Sequence, residues 1–118
     1  MSPQPSPSLE RWRQFMPDQR LLMIANEMLR IESSFAPEHG VSRRLGYERV
    51  LHLTDLTVAL VERRALRREL LRWRDLVAAL FLAADAANES QPELHAEAFR
   101  ALLLLSPAGA EQLRALRN

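Results

Sequence analysis

Apolar residues recur along this chain at spacings of three and four, and no segment alternates strictly, so the pattern is helical throughout. Leu9, Trp12, Phe15 and Met16 predict a short helix over 9–16. Pro17 interrupts it, because proline disfavours helical geometry in the residue before it. Pro17 also suits the first turn of a new helix, and Asp18 complements that helix's positive end. Leu21, Ile24, Met28, Ile31 and Phe35 then form a seam of heptad type, which predicts a second helix ended by Pro37 and Gly40. Near the other end, Ser90-Gln91-Pro92-Glu93 has the spacing of a capping box and opens a helix carrying Leu94, Ala98, Phe99, Leu102, Leu103 and Leu105. Ser106-Pro107 starts a last short helix through Leu113 and Leu116 to Arg117.

The run from Ser42 to Asn88 constrains the fold most. It has no proline and one glycine, Gly46. As a single helix, with Ser42 as N-cap, it would be ~70 Å long. A compact domain of this size is only ~35 Å across. The run must break or lie against a second chain. Two seams can be read in it. Val50, Leu53, Thr57 and Leu60 make the first; Leu66, Leu70, Trp73, Val77, Leu80 and Ala84 make the second. They are out of phase, since extending the first seam meets Arg64, Arg67 and Arg74, which a core does not accept unpaired. A kink or short turn is therefore expected between Val61 and Leu66. Leu45, Tyr47, Leu51, Leu56 and Val58 widen the apolar arc of the first half, leaving a narrow polar strip of Glu48, His52, Asp55 and Glu62. This half is expected to be the central helix.

Composition narrows the reading. At 118 residues and 47% hydrophobic, the chain is expected to be all-α, one small helical bundle of about five to six helices over 9–118. It is preceded by a disordered Pro/Ser-rich tail over 1–8. The second seam and the wide arc ask for more cover than so small a chain offers, so a homodimer is expected. Cysteine is absent, which removes disulfides, thiolate metal sites and a cysteine nucleophile, and fits a cytoplasmic protein. The start of the chain does not have the make-up of a secretory signal. The longest strictly apolar run, Leu76 to Ala84, is far short of the ~20 residues a membrane span needs, so no membrane association is expected.

All basic residues are arginine, yet the net charge is only +1, unlike the strongly basic nucleic-acid binders. Six arginines cluster as Arg63, Arg64, Arg67, Arg68, Arg72 and Arg74, offset by Glu62, Glu69 and Asp75. Such a stripe either contacts phosphate or an acidic protein surface, or is a solvated face with pairs such as Glu69 to Arg72 and Arg72 to Asp75. Leu71, Ala78 and Leu82 lie on the flank shared with Arg64 and Arg67. Leucine beside arginine is a composition that fits a protein interface. The expected partner-binding residues are therefore Arg64, Arg67, Arg68, Leu71, Arg72 and Arg74. Glu48, His52 and Asp55 share a helical face as metal ligands could, but the paired Glu-x-x-His motifs of a di-iron bundle are missing. His39 falls in a loop and His95 stands alone on another helix. No nucleophile is paired with a base. No enzymatic activity, metal or cofactor is expected.

The lysine-free helical chain, its proline-rich tail from Ser2 to Ser8 and its arginine-rich stretch from Glu62 to Asp75 together resemble the small helical quorum-sensing anti-activators. The resemblance implies a dimeric helical protein that binds a LuxR-type transcription regulator and blocks its dimerisation or DNA binding. The competing expectations are a nucleic-acid- or ribosome-associated helical protein using the arginine stripe, and a small helical chaperone.

Overall fold

The computed structural model describes residues 7–84 and 90–106, together with Glu111 and Ala115. Among them are five α-helices and no strand: α1 (Leu9–Arg13), α2 (Pro17–Glu32), α3 (Gly40–Leu60), α4 (Arg64–Leu82) and α5 (Gln91–Leu103). A 3-10 turn, Pro37–His39, leads into α3. The short helix expected from Ser106 to Arg117 lies almost wholly outside the described residues.

The four longer helices close a ring. α3 packs between α2 and α4, α5 touches both α2 and α4, and α1 lies against α3. Asp55 meets Arg74, and Arg43 near the start of α3 reaches Ala84 just past the end of α4, so α3 and α4 run antiparallel. α3 is thus the central helix that its broad apolar arc predicts. Leu45 departs from that arc and faces solvent.

The break in the long run falls at Val61–Arg63, inside the interval marked by the phase jump. Val61 and Arg63 are extended, with ψ of 127° and 120°. Val61 turns its side chain into the core. The second seam is then free to face inward on its own phase. Leu70, Trp73, Val77, Leu80 and Ala84 are all buried within the single chain; Leu66, at the start, is only partly covered. The seam is therefore core, and its burial needs no second copy.

The arginines explain how the helices end. No described residue has a positive φ, so no helix stops on the left-handed glycine that often satisfies the last carbonyls. Arg20 of α2 donates to the carbonyls of Trp12 and Arg13 in the last turn of α1. Arg67 of α4 donates to Val61, the C-cap of α3. Arg43 does most. Buried near the start of α3, it donates Nη1 to Ser34 and Ala36 beyond α2, and Nε and Nη2 to Ala84 at 3.2 and 2.8 Å. Its guanidinium carbon also lies 5.9 Å from the Phe35 ring centroid. All of these acceptors but Ala36 lie at the negative end of a helix, where the last carbonyls lack intrahelical partners; Trp12 and Ala36 also accept from the amides of Phe15 and His39.

Two capping expectations and the tail boundary are corrected. α3 starts at Gly40 after the 3-10 turn, so Ser42 lies inside the helix and is not its N-cap. Ser90 does precede α5, but its backbone is helical (ψ −11°) rather than extended, and its side chain makes no cap bond to the first turn. Ser8 caps α1 by accepting from the Arg11 amide, and the Pro7 carbonyl accepts from His52, so both residues belong to the fold rather than to the tail.

Gly46 sets the distance between α2 and α3. A β-carbon there would lie 2.6 Å from Cγ1 of Ile31, nearer than packed atoms approach. Gly46→Ala should therefore lower the melting temperature despite alanine's helix preference of ~1 kcal/mol. In an Ile31→Ala background the same change should instead stabilise, which a double-mutant cycle by thermal denaturation will read. For Arg43, replacement by Met should cost ~1–3 kcal/mol in chemical denaturation by stranding the buried Ala84 carbonyl and removing the bonds to the half-buried Ser34 and Ala36 carbonyls. Lys keeps the charge but not the fork, and should recover only part of that loss.

Candidate partner-binding surface

α4 carries its functional candidates opposite the buried seam. Arg64, Arg68 and Leu71 are exposed on that side, and Leu82 is 82% exposed. Arg72 is also exposed and pairs with Glu69 at 3.0 Å. The other two expected partner-binding arginines fasten α4 to α3. Arg67 holds the Val61 carbonyl, and the half-buried Arg74 makes a bidentate pair with Asp55, whose longer arm is 3.3 Å. The stripe therefore divides into Arg64 and Arg68, which face outward with no ion pair among the described residues, and Arg67 and Arg74, which tie two helices. The same contacts employ the polar strip of α3 otherwise than as metal ligands. Asp55 pairs with Arg74, and Nε2 of His52 donates to the Pro7 carbonyl at 3.1 Å.

An apolar trough runs beside this face, between α4 and α5. Its main part, about 490 Å³, is lined from α4 by Leu76, Ala79, Leu80 and Ala83 and from α5 by Gln91, Leu94, Glu97, Ala98 and Ala101. A second hollow of about 230 Å³ continues it through the shared Leu76 and Ala101 to Trp73, Arg72 and Leu105. Leu76 and Leu94 are about half exposed there, at 52% and 47%. The two walls are pinned by the Trp73 indole, which donates to the Ala98 carbonyl at 2.7 Å. A third depression, about 410 Å³ between α2 and α3, has mostly polar residues in its lining and holds Glu27 between Arg30 and Arg49 at 3.5 Å from each.

Inside the bundle lies a polar chain that sequence reasoning missed. His95 is fully buried; its Nε2 is 2.8 Å from the Met28 carbonyl and its Nδ1 is 2.8 Å from the Tyr47 hydroxyl. A carbonyl only accepts, so Nε2 carries the proton, and Nδ1 of the neutral ring accepts from Tyr47. Phe35 stands edge-on at 5.3 Å. Burial pushes His95 below the usual histidine range, only partly countered by the Met28 hydrogen bond and Glu32. Burial also raises the Tyr47 hydroxyl, against the opposing influence of Arg43. Both groups stay neutral near pH 7 and act as a structural bond between α2, α3 and α5. The only signal in sequence was a histidine on the core phase of its helix, one turn from Ala98 and Phe99.

No family model matches the chain, and no curated protein or solved structure does either.

The His95 arrangement predicts a pH dependence. The unfolded histidine takes up a proton near pH ~6.5, whereas the folded ring resists it, so the unfolded state binds more protons below that point. Stability should be level above pH ~7 and fall as pH drops through ~6.5, by at most about 1.4 kcal/mol per unit. Denaturation curves between pH ~7.5 and ~5.5 should show this slope in the wild type. His95→Gln, whose amide can still donate and accept, should flatten it.

Proposed function

We propose that this protein works by binding another protein through the exposed side of α4, and that the partner is a LuxR-type transcription regulator held unable to dimerise or bind DNA. The observation that carries the protein-binding reading is the division of α4 itself. Its apolar seam from Leu70 to Ala84 is buried in the chain's own core, yet Leu71, Leu76 and Leu82 remain about half exposed or more, with Arg64 and Arg68 on the same outer side as Leu71. Apolar surface left over after the core is complete, interleaved with arginine, suits a protein partner. The regulator's identity rests on the resemblance to quorum-sensing anti-activators in size, tail and arginine-rich stretch. On this reading the protein acts in the cytoplasm, where such a regulator meets DNA.

The test is capture of the host's LuxR-type regulators by the tagged protein, with a reporter of the regulator's activity in cells that express or lack it. Leu71→Glu should weaken the complex by about tenfold or more, because a buried anchor controls dissociation. Arg68→Glu should act mainly on the association rate and its salt dependence. Both positions are exposed, so neither change should move the melting temperature by much. Arg67 is unsuitable for this comparison, since its loss also uncaps α3. A reporter that does not respond, with no regulator captured, would falsify the regulator reading. Capture of RNA or DNA that vanishes at moderate salt would favour the arginine stripe as a phosphate contact instead.

A further inference from the structure

The depression between α2 and α3 is built around two arginines with hydrogen-bond donors to spare. Arg30 from α2 and Arg49 from α3 converge on one carboxylate, Glu27, whose side chain is less exposed than either of theirs. A guanidinium carries several N–H donors, yet each of these two meets Glu27 through a single nitrogen at 3.5 Å. A close charge-assisted bond is shorter, at ~2.7–2.9 Å. Arg74, by contrast, engages both oxygens of Asp55 through two nitrogens. Ser42 and His39 line the same depression and make no side-chain hydrogen bond among the described residues. Ser33 and Ser34 are already spent on the carbonyls of Arg30 and Ile31. Within the lining, two guanidinium charges stand against one carboxylate, and that carboxylate is taken twice.

We propose that this depression binds a small organic oxyanion, with a carboxylate or phosphate head held by Arg30 and Arg49 and a small apolar body lying against Ile31, Leu45 and Gly46. The head is selected by what the lining can still offer. Its unspent capacity is chiefly N–H and O–H donors, and the planar guanidinium fork matches the oxygens of a carboxylate or phosphate. Glu27 keeps the two arginines side by side, offsetting their mutual repulsion while leaving most of their donors open. A cation finds only an acid that two arginines already hold. The body is selected by the opposite wall. Ile31 and Gly46 pack against each other there, and Leu45 beside them is 57% exposed, so an apolar group laid on this wall removes leucine surface from water. The volume of about 410 Å³ lies within the range of ligand clefts, ~300–1,000 Å³. None of these residues belongs to the outer face of α4, so the inference stands apart from the protein-binding reading above.

The probes are phenyl phosphate and benzoate, with benzamide as the uncharged counterpart and inorganic phosphate as the head without a body. Each is titrated into the full-length, nitrogen-15-labelled protein at constant ionic strength, and amide NMR shifts are followed. Phenyl phosphate, benzoate or both should give saturable shifts grouped around Glu27–Ser34 and Ser42–Arg49, at least about tenfold tighter than benzamide or inorganic phosphate. Whichever of the two binds more tightly identifies the preferred head. Arg49→Gln should weaken that binding about tenfold, and Arg30→Gln should do the same from the other helix. Exposed ion pairs contribute little to stability, so both variants should melt near the wild type; if one does not, the other carries the test. Arg68→Gln, on the outer face of α4, should leave the affinity unchanged. The inference is overturned if neither aromatic anion saturates, or if benzamide binds as well. It is equally overturned if inorganic phosphate alone matches phenyl phosphate, because the apolar wall then contributes nothing. Shifts spread over the arginines of α4, or an equal loss in Arg68→Gln, would show diffuse attraction to a charged surface and no site. Wild-type affinity in both Arg30→Gln and Arg49→Gln would remove the two arginines from the account, and the proposal with them.

Discussion

One guanidinium holds three helix ends together. Arg43 sits where the chain leaves α2, enters α3 and leaves α4, and it donates to carbonyls on both exits. A helix leaves about four carbonyls without partners at its C-terminus, and burying them unpaired is more costly than any single hydrogen bond is favourable. Elsewhere a left-handed glycine turns the chain back to meet them; here Gly40 and Gly46 lie in α3, neither with a positive φ. Arginine supplies the alternative. Its planar fork reaches two acceptors at once and its charge lies at the negative end of the dipole. Arg20 and Arg67 repeat the device at the ends of α1 and α3. A lysine-free composition, which in sequence reads as a surface property, thus has a use in the interior.

The periodic parts of the fold were legible in the sequence because burial on one side of a helix writes a local signal. The seam of α2 and the second seam of the long run are buried almost as spaced, and the conflict of phase placed a break between Val61 and Leu66, where the structure has it at Val61–Arg63, without a glycine or proline to mark it. What could not be read were interactions whose partners are distant in sequence. Arg43 reaches Ala84, His95 reaches Met28 and Tyr47, and Gly46 is fitted to Ile31. An arginine directly after a predicted N-cap looks like any solvated charge, and a lone histidine gives no hint of two buried partners. The cap predicted at Ser42 failed for a related reason: the 3-10 turn before it already starts the helix at Gly40.

The candidate surface was half legible. Periodicity separated the outer face of α4 from its seam, so Arg64, Arg68 and Leu71 were placed correctly as exposed. It could not tell that Arg74 is spent on Asp55, because that pairing exists only once α3 and α4 are antiparallel. The trough was invisible for the same reason. Leu76 and Ala79 belong to an unbroken apolar run, and only the placement of α5 against α4 decides which members of that run are covered. Leu80 goes inward, Leu76 stays half exposed, and small residues beside them leave a channel.

These buried polar contacts also determine what kind of surface the trough is. Its α4 wall is tied to its α5 wall by the Trp73 indole on the Ala98 carbonyl, and α5 is tied to α2 and α3 through His95. Arg74 and Arg67 tie α4 to α3 from the other side. A groove whose two walls are each anchored to the rest of the bundle keeps its width without a ligand.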